Sequence, residues 1–295
     1  LRVLITGASG YLGRHLLAML PADWQVWAGY HEHPPATGPR VTALRLDIAD
    51  PEATMTAVAA IRPDLVIHTA ISRRAEDFDR VIVAGSGHVA QATAAVGARL
   101  IHMSTDILFD GTAARYEETD LPCPEPKPGQ ADPLSPHGRA KARAEMRVRA
   151  SHPAPVIVRT SLIYGFHPPD HSTSWLIAGL RRGEPVVLFT DQIRRPIYVV
   201  DLAQALIELA GLEFTGVIHL VGPIALSRYD FGLLLCRALG LPTMLLRPGP
   251  TPVEVVAPRR LDLSDELAQR LLRTRRRSPE EVCRPGVAAA QEVRI

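Results

Sequence analysis

The sequence predicts an α/β fold, a doubly wound parallel sheet with helices on both faces. Three observations predict it. Short apolar runs of strand length alternate with helical stretches over the first 160 residues. The first run, Val3-Leu4-Ile5, passes at once into a glycine-rich turn and then a helical run, Arg14 to Leu20, stopped by Pro21. The polar residues Ser9, Asp47, Thr69, Thr105 and Asp106 gather where these strands end, and ligands of parallel sheets sit at strand carboxyl ends.

The turn Gly7-Ala8-Ser9-Gly10-Tyr11-Leu12-Gly13 has the form GxxGxxG, a relative of the dinucleotide fingerprint. Gly7 turns the chain off the strand, Gly10 lets backbone approach a pyrophosphate, and Gly13 lets the helix pack on the sheet. Tyr11 and Leu12 of the turn and Arg14 at the helix start are expected beside the cofactor, and the helix N-terminus offers N–H groups and a positive dipole end to phosphates. The second strand, residues 25–29, ends in Tyr30-His31-Glu32-His33 rather than in an acid that would bind the ribose hydroxyls. Arg14 and His31 can instead receive a 2′-phosphate, so NADP(H) is expected over NAD(H).

The third strand, 42–46, ends in Asp47-Ile48, and Asp50 caps a helix with Pro51 at its first position. The fourth, 65–68, ends in Thr69-Ala70-Ile71, and one long helix is expected over 78–96, closing at Gly97. The fifth, 100–103, ends in Ser104-Thr105-Asp106. Residues 120–136 form a proline-rich loop of a length that is usually functional or mobile. A helix over 138–150 and a sixth strand, 155–160, follow. The alternation then loosens: helices are expected over 172–182 and 201–210, strands over 186–188 and 217–220, and two more helices capped by Ser227 and Ser264.

The 295 residues suffice for a full core. Net charge is +2, which supplies no bulk field for nucleic acid or a membrane. No apolar run approaches transmembrane length, no signal-peptide pattern precedes the first strand, and a cytoplasmic location is expected. Cys123, Cys236 and Cys283 lie far apart, with neither disulfide nor metal-ligand spacing. The run Arg273 to Arg277 reads as a solvated helix end. His68, His102 and His219 lie in or at apolar strands and read as satisfied core residues.

Several blocks come in the order found in extended short-chain dehydrogenases: the glycine turn, Leu46-Asp47-Ile48, Ser104 to Gly111, His137 to Lys141, Arg159 to Gly165 and Arg194 to Ala203. The chain resembles that family over nearly its whole length. The block Ser104-Thr105-Asp106-Ile107-Leu108-Phe109-Asp110-Gly111 looks most like the dTDP-4-dehydrorhamnose reductase branch. The resemblance implies a Rossmann-type cofactor domain over 1–160 plus about 195–220. It implies a substrate domain over about 161–194 and 221–295.

In that family a Ser or Thr, a Tyr and a Lys four residues after the Tyr do the chemistry. Thr105 matches the hydroxyl residue and Lys141 the lysine, with Asp106 beside them, but the tyrosine position is His137. Ile82 stands where a polar Asn helps to organise the site. The resemblance sets Ser161, Leu162, Asp106 and Arg195 beside the substrate, with Arg194 and Arg195 on its diphosphate. Leu162 replaces a Trp that meets the sugar in the rhamnose-type reductases. A cation at Lys141 disfavours imidazolium at His137, so the histidine is expected to be neutral and a poor acid. Two functions follow. One is an NAD(P)H-dependent reductase of a 4-keto nucleotide sugar, with a homodimer among the states the resemblance allows. The other is a non-catalytic dinucleotide-binding protein, like a related regulatory subunit of methionine adenosyltransferase.

Overall fold

A computed structural model describes residues 1–284. Strands β1 (Arg2–Thr6), β2 (Gln25–Tyr30), β3 (Val41–Arg45), β4 (Leu65–His68), β5 (Arg99–Thr105) and β6 (Val156–Thr160) join Gly216–Leu220 in one parallel sheet. Its order is Gly216–Leu220, β6, β5, β4, β1, β2, β3. Strand order reverses between β1 and β4, so a crevice opens there at the carboxyl ends.

The helices are α1 (Tyr11–Ala18), α2 (Pro51–Ile61), α3 (Gly85–Ala95), α4 (Pro136–Ser151), α5 (His171–Arg181), α6 (Val199–Ala210), α7 (Arg228–Ala238) and α8 (Glu266–Leu271), with a short last one at Pro279–Val282. Successive strand residues face opposite sides, and the core divides accordingly. Val3 and Ile5 pack with Leu12 and Leu16 of α1 and with Leu202 and Leu206 of α6. Leu4, Val66 and Leu100 pack on the other face with Val58, Val89 and Val148 of α2, α3 and α4. Asp50 caps α2 as its sequence predicts, accepting from Glu52 and Ala53 at 3.0 Å each. Such a cap contributes about 1 kcal/mol.

The segment expected as one helix over 78–96 is two. A 3₁₀ turn, Ala75–Asp77, precedes a π-helix, Phe78–Ala84, and only then does α3 begin. The wider π-turns change the phase of the face. Ile82 is thereby buried against Ala140 and Ala144 of α4, while Val89 and Ala92 of α3 still reach the sheet core.

Three other expectations are corrected. Ser264 does not cap α8; its Oγ accepts from Arg115 at 3.0 Å, and the helix starts beyond Asp265 with no side-chain cap. The run Arg273 to Arg277 is not a solvated helix end but an extended strap along α6. Glu208 accepts from the backbone of Arg273 and Thr274, and Asp201 takes the Arg277 side chain. Of the histidines, His68 is satisfied by Thr6 Oγ1 (2.6 Å) and Ser86 Oγ (3.0 Å). His102 has neither ring nitrogen paired, and His219 leaves Nε2 bare. The proline-rich loop is tied down: Arg139 holds Asp132 and the Cys123 carbonyl, and buried Arg159 holds the Asp120 carbonyl.

Beyond β6, α5 and α7 share the core with Tyr164 and Phe166 through Leu176, Leu180, Phe231 and Leu235. Three strand pairs accompany them among the described residues, Ile163–Tyr164 with Ile197–Tyr198, Val186–Phe189 with Leu246–Gly249, and Ile193–Arg194 with Leu226–Ser227. Among the described residues, no helix is long and apolar enough to cross a membrane and no metal-ligand cluster occurs. All three cysteines are free.

Candidate active site

The site begins with the glycine turn. A Cβ on Gly13 would lie 2.4 Å from the Gly7 carbonyl oxygen and 2.6 Å from Ala8 Cα, so only glycine lets α1 rise this close to β1. The cap of α1 is Gly10, and no side chain closes the helix start. Two adjoining cavities flank it, of about 820 Å³ and about 560 Å³. They share Ser9, Gly10, Thr69, Ile71 and Arg73.

The smaller cavity runs over Gly7, Tyr30 to His33, Asp47, Ile48 and Ala70. Burial works against the Asp47 carboxylate, but the Ala49 N–H (3.0 Å) and the Arg80 guanidinium (3.1 Å) outweigh it and hold its pKa below the usual range. His31 lies 3.7 Å from the same carboxylate. The larger cavity runs over Tyr11, Leu12, Gly13 and Arg14, then Thr105, His137, Lys141, Ser161 and Leu162. Every residue expected to bind cofactor therefore lines one cavity or the other. The continuous trough, with an uncapped helix start at its centre and an apolar and polar arm on either side, fits a dinucleotide.

Helix α4 positions the chemistry. Ser135 caps it, its Oγ accepting from Gly138 at 3.2 Å, and Pro136 occupies the first turn. A Cβ on Gly138 would meet the Ile107 carbonyl oxygen at 2.3 Å, so glycine lets α4 press against the chain leaving β5. His137 and Lys141, one turn apart, thus reach the cavity beside Thr105. Lys141 is buried and donates to the Met103 carbonyl at 3.0 Å. Burial lowers its pKa to about 8, with Glu145 opposing.

The His137 ring packs 5.3 Å from that of Phe78, and its Nε2 is buried with no partner. Its pKa is lowered to about 4, first by burial and then by the Lys141 charge. Both causes favour the neutral state expected from the sequence, with the lysine the lesser of the two.

Three expected site residues do not face the trough. Asp106 is buried beneath it, accepting from Ser161 Oγ at 2.5 Å and from Thr105 Oγ1 at 3.2 Å. Burial raises its pKa against the opposing pull of Arg194 and these hydroxyls. It positions Thr105 and Ser161 rather than touching a ligand. Arg195 is also buried, donating to the carbonyls of Gly222 (2.9 Å), Leu263 (2.7 Å) and Pro223 (2.6 Å). Arg194 is spent on the carbonyls of Ile193, Arg259 and Pro258. Neither arginine has a free fork for a diphosphate. Tyr164 is core, packed against Phe166, Tyr198 and Phe231, and burial raises its pKa.

The trough holds residues that the sequence reading passed over. Arg73 lines both cavities, and Asp170, His171, Ser172 and Ser174 close one end of the larger. The adjacent Arg73-Arg74 at the carboxyl end of β4 was the available signal for the first. The Asp170-His171-Ser172 start of α5, with Asp170 accepting from Ser172 and Thr173, was the signal for the second.

Comparison with known proteins agrees with this geometry. A family model described as the RmlD substrate binding domain matches residues 1–281. A dTDP-4-dehydrorhamnose reductase of Mycobacterium tuberculosis is 33% identical over 262 residues, covering 84% of this chain and 78% of that protein. The beta subunit of methionine adenosyltransferase 2 of Rattus norvegicus is 27% identical over 274 residues, covering 84% and 75%. A dTDP-4-dehydrorhamnose reductase of Bacillus anthracis, solved in complex with NADP, superposes with a TM-score of 0.78 at 25% identity, over 96% of each chain. The chain belongs to the dTDP-4-dehydrorhamnose reductase-like branch of the extended short-chain dehydrogenases, a family of NAD(P)-dependent oxidoreductases.

Proposed function

We propose that the protein is an NADP(H)-linked reductase of a 4-keto nucleotide sugar in which Lys141, not the residue at the tyrosine position, is the protonated group of the site. The observation that carries this reading is that Thr105, His137 and Lys141 share one cavity with the glycine turn. The Bacillus anthracis relative is solved with NADP, and the Mycobacterium tuberculosis relative is named a reductase of a 4-keto nucleotide sugar.

The smaller cavity would hold the adenosine half of the cofactor, the start of α1 its pyrophosphate, and Thr105 and Lys141 the reacting end. When bound, the cofactor supplies a hydride to the ketone carbon. The oxygen then needs a proton from within hydrogen-bond reach. With a pKa near 4, His137 is almost wholly neutral at pH 7, and a neutral imidazole N–H is a very weak acid. With a pKa near 8, Lys141 is mostly protonated there. Thr105, held by the Asp106 carboxylate, orients the oxygen, and Lys141 is the nearest proton reservoir that α4 supplies. The rate is accordingly low, because a general acid held directly against the oxygen contributes about 10²–10⁴-fold.

A second reading, dinucleotide binding without turnover, is favoured by buried apolar Ile82 beside α4. The test is NADPH oxidation with 4-keto nucleotide sugars from pH 5 to 9. Turnover that is level below pH 7 and falls as pH rises through about 8 supports the reductase with Lys141 as its acid. Cofactor binding without oxidation at any pH supports the second reading.

A further inference from the structure

With Arg194 and Arg195 both committed to backbone carbonyls, the charge that meets an anionic substrate has to come from elsewhere. Arg14 and Arg73 lie on the glycine-turn side of the large cavity, and a third unspent arginine, Arg228, lies beside its α5 end. Ser227 caps α7, its Oγ accepting from Asp230 at 2.9 Å, so Arg228 is the first helical residue, and its backbone N–H donates to Gln192 at 3.0 Å. Its guanidinium, half-buried, makes no hydrogen bond or ion pair among the described residues.

The Arg228 side chain lies in a crevice with Trp175 and Phe231, and with Leu162, Ile163, Asp170 and Ser172, four residues that also line the large cavity. The nearby carboxylates do not neutralise it directly. Asp170 Oδ1 accepts from Ser172 (2.9 Å) and Thr173 (3.1 Å), and its Oδ2 takes the Thr173 hydroxyl. Asp106 is held by Ser161 and Thr105. Burial and the charge of Arg194 both work against the Arg228 cation, with Asp170 and Asp106 opposing only at longer range. Desolvating a charge without a partner is costly, and the cost is recovered when an anion arrives. A guanidinium fork suits phosphate oxygens in particular.

We propose that Arg228 holds a phosphate of the substrate's nucleoside diphosphate at the α5 end of the large cavity. The proposal rests on the nucleotide-sugar reading above and names the residue that would give the site its charge.

The experiment is isothermal titration of the full chain with UDP, dTDP and inorganic pyrophosphate in the presence of NADP⁺, for the parent, Arg228→Ala and Arg228→Lys. The expected result is at least about tenfold weaker binding of all three to Arg228→Ala, the size of one lost charge-assisted hydrogen bond. Arg228→Lys should lie between, because it keeps the charge and loses the fork. NADPH affinity should change less than about twofold in both variants, and Arg228→Lys carries the test should Arg228→Ala not fold. If parent and Arg228→Ala bind UDP and dTDP equally, the assignment to Arg228 is overturned while the nucleotide-sugar reading stands. If the parent binds pyrophosphate through Arg228 but neither nucleotide, the anion site stands and the nucleotide-sugar reading falls. If the parent binds none of the three, both fall.

Discussion

Arg195 Nη1 lies 3.1 Å from the Asp265 carboxylate, inside the protein and away from the trough. With its three carbonyl acceptors, Arg195 bolts the chain at β6 and Gly222 to the approach to α8. Arg195→Ala would leave three buried carbonyls without this donor, while Asp265 keeps Gln269 (2.8 Å) and Arg276 (3.3 Å). The expected loss is at least about 3 kcal/mol of unfolding free energy, about 1–3 kcal/mol for each buried group left unpaired, read by urea denaturation, with NADPH affinity of the folded fraction unchanged. A variant as stable as the parent would restore Arg195 as a candidate ligand residue.

Gly13→Ala probes the turn. The added Cβ meets backbone atoms of Gly7 and Ala8, which cannot swing aside as a side chain could. Either α1 lifts off β1 or the turn deforms, and both spoil the surface on which the cofactor pyrophosphate would lie. Dinucleotide affinity measured by titration should fall at least about tenfold, and the melting temperature should fall with it. Undiminished affinity would remove the turn from the cofactor site.

The proposed preference for NADPH rests on the tips of β2 and β3. Asp47 is already occupied by Arg80 and the Ala49 N–H, so it is a poor free acceptor for ribose hydroxyls. His31, Arg73 and Arg80 line the same cavity and offer positive or protonatable groups. Titration should show NADPH binding several-fold tighter than NADH, with the gap narrowing as salt rises. Tighter NADH binding would contradict this.

Acid should destabilise the fold. Burial lowers the pKa of His68 and His219 to about 3 and that of His137 to about 4, and His102 lies well below its ordinary value. Between about pH 6.5 and 4 the unfolded chain binds protons at these positions and the folded one does not. Stability therefore rises with pH across that window and is lost as pH falls. The slope is about 1.4 kcal/mol per pH unit for each histidine that stays neutral in the fold. Denaturation midpoints at pH 4.5, 5.5 and 6.5 check this, and a flat profile would mean that the histidines titrate normally.

The sheet and the glycine turn were legible because apolar periodicity and three glycines are local signals. Strand ends could be located within a residue or two, and the expected cofactor residues do line the trough. What failed to show was the fate of long polar side chains. Nothing local in Arg194-Arg195-Pro196 tells that both guanidiniums turn inward to carbonyls from residues 193 to 263. Nothing near Arg228 tells that its guanidinium is left unspent. The π-helix at Phe78–Ala84 was invisible for a related reason: its phase is set by α4, 55 residues or more further on. Ser264 was a plausible cap by type, and Arg115, far away in sequence, claimed its hydroxyl.

In the proposed reductase, His137 deprives the site of its direct proton donor. Tyrosine at 137 would stand one turn from Lys141, whose charge lowers a phenol's pKa from about 10 toward the working range while it only penalises imidazolium. The most direct measurement is NADPH oxidation with a 4-keto nucleotide sugar by the parent and His137→Tyr at pH 7.5. Turnover should be at least about tenfold faster in the variant, a modest share of what a general acid supplies. A parent as fast as the variant would contradict it.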